Sequence, residues 1–153
     1  MTTIRTGMAA LAAAAILLTT PAQAASASGE AEKLRKLDIM LMVTGLRCRT
    51  TPDNFQADFA AFEAAHLTEL NAAAAQMRRD LVATSGAAGA TRALDRLSTG
   101  MANQYGQGHP RLGCAALKQA TRILAQIRGR EALLSAADEL LAPTEGTALA
   151  LAR

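Results

Sequence analysis

The loop at residues 105–111 carries the most chemically varied side chains of this chain. A phenol, an amide, an imidazole and a guanidinium follow one another at Tyr105, Gln107, His109 and Arg111. The glycines between them permit positive φ angles and a close approach of the backbone to a ligand. These groups could bind an anion, or the imidazole could transfer a proton. The competing interpretation is a tight turn between helices whose polar groups are simply solvated.

The first 24 residues have the order of a secretory signal peptide. Arg5 supplies the positive charge, residues 8–18 form an apolar run, and Ala22 and Ala24 are the small residues before a cut. This run of eleven residues is too short to span a bilayer as a helix, since spanning takes about 20. We therefore predict that residues 1–24 are removed and that the protein is periplasmic or secreted. The mature chain has no predicted transmembrane segment.

Two cysteines, Cys48 and Cys114, are the only ones in the chain. Export exposes them to an oxidising compartment, so we predict a disulfide between them. Two free thiols are the alternative, and only free thiols could join His66 and His109 in a four-ligand metal site. The pair has neither the spacing of a C-x-x-C redox motif nor that of a haem attachment motif, so its predicted role is structural.

A disulfide between these cysteines would concentrate positive charge at one corner. It would bring Arg47 and Arg49 towards His109 and Arg111, and the start of the fourth predicted helix adds free backbone N–H groups. Like charges repel unless carboxylates or an anion neutralise them. We therefore predict a ligand-binding site for a small anion. Its residues are Arg47, Arg49, Tyr105, Gln107, His109 and Arg111. The alternative is that the arginines point separately into solvent.

Other patterns in the sequence do not indicate catalysis or a cofactor. The chain has no H-E-x-x-H motif, no cysteine pair at zinc spacing and no G-x-S-x-G elbow. His66 lies on an apolar helix face, which favours a packed core histidine over a metal ligand. The methionines are spread over core-like positions, which favours packing over copper binding. We predict no metal, no cofactor and no catalytic residue.

Composition indicates an all-α fold. Alanine, the best helix former, supplies 29 of the 129 residues that follow the signal peptide. Valine and isoleucine, which favour strands, are scarce. We predict one four- to five-helix antiparallel bundle with one disulfide over residues 25–143, and a flexible tail at residues 144–153. The 15 basic and 13 acidic side chains after residue 24 give a net charge of +2, too small to indicate nucleic-acid binding.

Apolar residues at steps of three and four predict five helices. The first begins near Ser28, and the second runs as one nearly straight helix from residue 52 to residue 85. The third covers residues 88–104, the fourth starts at Pro110, and the fifth covers residues 131–141. The predicted core packs one face of the second helix against three other helices. Its members are Phe55, Phe59, Phe62, Leu70 and Met77 against Leu37, Leu41, Leu97, Met101 and Leu124.

Four stretches of the chain, at residues 41–48, 53–58, 100–110 and 112–114, resemble a group of small exported proteins of Gram-negative bacteria. The likeness covers about residues 34–141 and implies an exported domain linked by a disulfide. Some members of that group carry the label S-adenosyl-L-homocysteine hydrolase. That enzyme is a large cytosolic NAD-dependent protein with a dinucleotide-binding βαβ unit. This chain has no G-x-G-x-x-G after a strand, so its sequence does not support the label.

Three classes of function are compatible with these patterns. We expect a protein that binds a small anionic ligand or an envelope protein without catalysis. A small periplasmic enzyme that uses His109 as acid or base is the first alternative, and it requires a cavity that holds this histidine with a second titratable group. A chaperone-like or structural envelope protein is the second, and it requires a large exposed apolar patch.

Overall fold

A computed structural model describes residues 21–143 of the chain. The predicted tail and residues 1–20 of the predicted signal peptide lie outside these described residues. Five helices and no strand occur within them. The helices are α1 (Pro21–Cys48), α2 (Gln56–Ala65), α3 (Leu67–Tyr105), α4 (Cys114–Gln126) and α5 (Arg130–Leu141). The predicted all-α class with one disulfide is therefore confirmed. No helix between residues 21 and 143 combines the length and the apolar character that crossing a membrane requires.

Helix α1 is the centre of the bundle and contacts each of the other four helices. Its buried residues recur at helical spacing and end at the disulfide: Ala31, Leu34, Leu37, Leu41, Thr44 and Cys48. The predicted start near Ser28 is wrong, because the helix already includes the residues before it, from Pro21 onwards.

The second predicted helix is interrupted at His66, which corrects the expectation of one straight helix. His66 has φ −117° and ψ 18° and separates α2 from α3. Its Nε2 lies 2.8 Å from the carbonyl oxygen of Leu124 in α4, and its ring packs on Phe62 with centroids 5.3 Å apart. The imidazole is almost fully buried, so the predicted packed core histidine is confirmed. A contact with α4 therefore accompanies the break, and helical periodicity does not report such contacts.

Gly86 interrupts α3 with φ 67° and ψ 166°. Glycine adopts this conformation readily because it has no Cβ. Met77 before this glycine and Leu97 after it line one groove with Ser28 and Glu32 of α1. The two halves of α3 therefore fold back on each other beside α1. The predicted helix end at residues 85–86 and a new helix from about residue 88 agree with this geometry.

Helices α4 and α5 complete the bundle. α4 begins at Cys114, four residues after the predicted Pro110, and runs alongside α2 in the same direction, with Arg122 2.9 Å from Asp58. α5 returns along α1, where Arg130 lies 3.1 Å from Glu30. These ion pairs are partly solvated, so each contributes little to stability.

The core confirms most of the predicted packing and corrects part of it. Predicted core residues that are buried are Phe55, Phe62, Met77, Leu37, Leu41, Met101 and Leu124. Phe59 and Leu70 are only partly buried at its edge. Leu97 is 40% exposed, which contradicts its predicted place in the core. It lines the groove between the two halves of α3 instead.

Candidate functional site

A disulfide joins the end of α1 to the start of α4. Cys48 and Cys114 are bonded, with Cα atoms 5.7 Å apart, and they lie 66 positions apart in the chain. This confirms the predicted pairing and excludes a four-ligand metal site built from these thiols. A loop of this length stabilises the fold by about 4 kcal/mol on the chain-entropy model.

A cavity of about 310 Å³ lies against this disulfide. Its walls are the end of α1, the loop at residues 107–113 and the first turn of α4. The side chains and glycines that line it are Thr44, Arg47, Cys48, Thr51, Gln107, Gly108, His109, Leu112, Gly113, Cys114 and Leu117. Three of the six predicted site residues, Arg47, Gln107 and His109, therefore share one cavity. We call this space the disulfide cavity.

Arg47 attaches α1 to the loop beside the cavity. Its guanidinium donates a hydrogen bond to the carbonyl oxygen of Gly106, 2.9 Å away. Gly108, two residues further on, has φ 107°, and a Cβ at that position would lie 3.6 Å from Nε of Arg47. Glycine is required there by the backbone angle more than by the space. One cationic side chain therefore both holds the loop and faces the cavity.

Both ring nitrogens of His109 form hydrogen bonds within the protein. Nε2 lies 2.9 Å from the carbonyl oxygen of Leu140 in α5. Nδ1 accepts hydrogen bonds from the backbone N–H groups of Arg111 and Leu112, each 3.1 Å away. Two donors at Nδ1 identify it as the unprotonated nitrogen, so Nε2 carries the proton that is donated to Leu140. A general acid or base needs a nitrogen free to exchange a proton with a substrate, and this arrangement leaves none free.

Arg111 also binds the end of α5. Its guanidinium donates to the carbonyl oxygen of Glu139, 2.7 Å away, and lies 3.5 Å from that of Leu140. The last carbonyls of a helix lack partners within the helix and carry partial negative charge, which favours a cation there. The structure therefore places this arginine at a helix end and outside the lining of the disulfide cavity.

The remaining two predicted site residues lie beside the cavity without lining it. Tyr105 is buried and stacks on His109 with ring centroids 6.2 Å apart. Desolvation by this burial raises the pKa of its phenol above the usual value of 10. Arg49 follows the end of α1 and lines a neighbouring surface groove with Leu46 and Thr50. The structure thus separates the six residues into three at the cavity and three around it.

The charge around the disulfide cavity is positive. No carboxylate is among its lining residues, whereas Arg47 is. Helix α4 starts there at Gly113 with no capping side chain and no acidic residue in its first turn. The N-terminus of a helix carries partial positive charge, so both contributions favour a negative ligand.

The sequence missed several residues of this cavity. Thr44, Thr51 and Leu117 line it, and they lie in predicted helices or their ends with no motif around them. The hydroxyl of Thr44 donates to the carbonyl of Met40 in its own helix, 2.7 Å away, which identifies it as a structural side chain. Only their closeness in sequence to the two cysteines could have indicated them.

Between residues 21 and 143, no group of three or more His, Cys, Asp and Glu side chains has a geometry suited to a metal ion. Comparison of the chain with protein-family models, curated proteins and solved structures gives no match. The resemblance described above therefore stays a prediction, and the function must be argued from the disulfide cavity.

Proposed function

We propose that this protein binds a small anionic ligand in the disulfide cavity and acts in the cell envelope without catalysis. The observation that carries this proposal is that Arg47 lines a cavity whose wall has no carboxylate. A cation in such a place has no fixed counter-charge, so an anion gains Coulomb energy there. Gln107 supplies an amide on the same wall, which could orient the ligand.

The size of the cavity limits the ligand. Ligand pockets usually enclose about 300–1,000 Å³, and this one has about 310 Å³. A phosphate or a short carboxylate fits within that volume. The proposed binding groups are fewer than the six predicted residues, because His109 and Arg111 hydrogen-bond to carbonyl groups at the end of α5. These two residues hold the loop that forms the cavity wall in place.

The disulfide and the predicted signal peptide support an exported location. Stable disulfides are characteristic of exported proteins and rare in the cytosol. The bond between Cys48 and Cys114 therefore supports the periplasmic or secreted location that residues 1–24 predict.

Calorimetric titration at low salt tests the proposal. Orthophosphate and acetate are titrated into the wild-type protein, Arg47→Gln and the control Arg128→Gln. Arg128 donates to carbonyls at the end of α4 and does not line the cavity. We expect Arg47→Gln to weaken binding about tenfold, since a charged hydrogen bond is lost, and Arg128→Gln to bind as the wild type does.

Since Arg47 also holds Gly106, Gln107→Ala serves as a second variant that leaves this bond in place. We expect weaker binding in this variant as well. Equal binding by the wild type and both cavity variants would rule the site out.

A further inference from the structure

A second surface, formed by the end of α1 and the two residues that follow it, carries exposed apolar and cationic side chains. Met42 and Leu46 lie one helical turn apart and are 42% and 47% exposed. Val43, Arg47, Arg49 and Thr50 adjoin Leu46 along an open groove of about 500 Å³. We call these six residues the α1 ledge. Single exposed apolar side chains are ordinary on a protein surface, and Met42 and Leu46 adjoin to form a small apolar patch.

The ledge is open on one side. Every residue that lines its groove comes from residues 43–50, so no second element stands opposite to close over a ligand. Small ligands are usually enclosed over most of their surface. An extended partner surface fits this shape better than a small molecule does.

The positive charge of the α1 ledge indicates which kind of partner could bind there. Arg47 and Arg49 are exposed at the ledge, and no carboxylate lines its groove. A second copy of the chain, packed about a two-fold axis on this groove, would bring no carboxylate to the arginines and would add two more cations, which is unfavourable. Bilayers with anionic lipids attract arginine and take up exposed apolar side chains beside it. We propose that the α1 ledge docks on an anionic lipid surface.

Vesicle sedimentation tests this surface separately from the anion site. The exported protein is mixed at low salt with vesicles of phosphatidylglycerol and phosphatidylethanolamine in equal parts, or of phosphatidylcholine alone. The variants are Leu46→Ser and Arg49→Ser, and neither residue lines the disulfide cavity. Matched controls are Ile123→Ser on α4, where the side chain is 53% exposed, and Arg92→Ser on α3. All of these proteins have the same N-terminus, so a difference in vesicle binding between them comes from the substituted side chain.

We expect binding to the anionic vesicles only. Leu46→Ser should lower the partition coefficient about tenfold and Arg49→Ser about fivefold, with both controls unchanged. Orthophosphate binding should be unaffected by Leu46→Ser, and Arg49→Ser should weaken it less than Arg47→Gln does, because Arg49 lies outside the disulfide cavity. Absence of vesicle binding, or equal binding by wild type and ledge variants, would overturn the proposal. A dimer that Leu46→Ser abolishes, in place of vesicle binding, would assign the ledge to a second copy and overturn it too.

Discussion

His109 ties the loop before α4 to the end of α5 through a hydrogen bond from Nε2 to the carbonyl oxygen of Leu140, 2.9 Å away. The same ring accepts two backbone N–H groups of its own loop at Nδ1. One imidazole therefore both shapes the turn and fixes its position on α5. This turn forms a wall of the disulfide cavity, so the stability of the wall depends on His109.

Replacement of His109 should loosen that wall. His109→Phe keeps a flat ring beside Tyr105 but removes the donor to Leu140 and the acceptor for Arg111 and Leu112. We expect the free energy of unfolding to fall by about 1–3 kcal/mol, because backbone groups lose their partners. Urea denaturation measures this change. Gln107→Ala in the same loop is the control and should be neutral, and equal stability of both variants would contradict the described role of the ring.

Phe62 and Phe59 form a matched pair for the core. They lie one turn apart in α2 with ring centroids 6.1 Å apart, but only Phe62 is fully buried. We expect Phe62→Ala to lower the free energy of unfolding by about 3–5 kcal/mol. Phe59→Ala should have a clearly smaller effect, since its ring is partly solvated and leaves no closed cavity. Denaturant titrations of both variants check this, and the reverse order would mean that the buried face of α2 is assigned wrongly.

Gly86 and Gly100 test the backbone of α3. An alanine at Gly86 would have to hold φ 67° and ψ 166°, which a residue with a Cβ adopts only with strain. We expect Gly86→Ala to destabilise the protein by about 1–3 kcal/mol. At Gly100 a Cβ would meet open space within the helix. Gly100→Ala should therefore stabilise by up to about 1 kcal/mol. Thermal unfolding of the two variants compares them, and a stabilising Gly86→Ala would contradict the fold-back at this glycine.

Asp38 should make stability depend on pH. Desolvation by burial raises the pKa of its carboxyl above 3.8, with Glu63 contributing in the same direction and Arg35 opposing. The folded protein then holds this proton more tightly than the unfolded chain does. The stabilising contribution is therefore full below the unfolded pKa and is lost as pH rises through the folded pKa.

Asp38→Asn removes this titration. We expect the stability of wild type relative to this variant to be greater at about pH 3 than at about pH 7. Urea denaturation at both values measures the difference, and Asp58→Asn provides a control at another carboxylate. A difference that is constant between the two pH values, or that grows as pH rises, would contradict the assignment.

The contact between the end of α1 and the start of α4 could be predicted from the sequence, because the chain has only two cysteines. Cys48 and Cys114 have only each other as partners, and their bond brings Arg47 to the glycine loop. The roles of His109 and Arg111 could not be predicted, since their partners lie about 30 positions away at the end of α5. Helical periodicity cannot show which helix end lies beside which loop.

Two errors in the predicted helices have the same physical origin. The apolar spacing of residues 55–81 continues through His66, but the hydrogen bond of this histidine to Leu124 accompanies a break there. Leu97 has the spacing of a core residue, yet the fold-back at Gly86 leaves it at a groove between helix halves. In both cases the arrangement of helices in three dimensions, which helical spacing does not report, differs from the predicted one.

The proposal that Arg47 faces an anion site is tested most directly by locating the ligand on the protein. Backbone amide chemical shifts of the ¹⁵N-labelled protein are followed while orthophosphate is added at low salt. We expect saturable shifts at Gln107 and Gly108 and at residues 114–116 in the first turn of α4, with none at Arg92. Arg47→Gln should reduce them. Shifts confined to other surfaces, or no saturable shift at the disulfide cavity, would contradict the account.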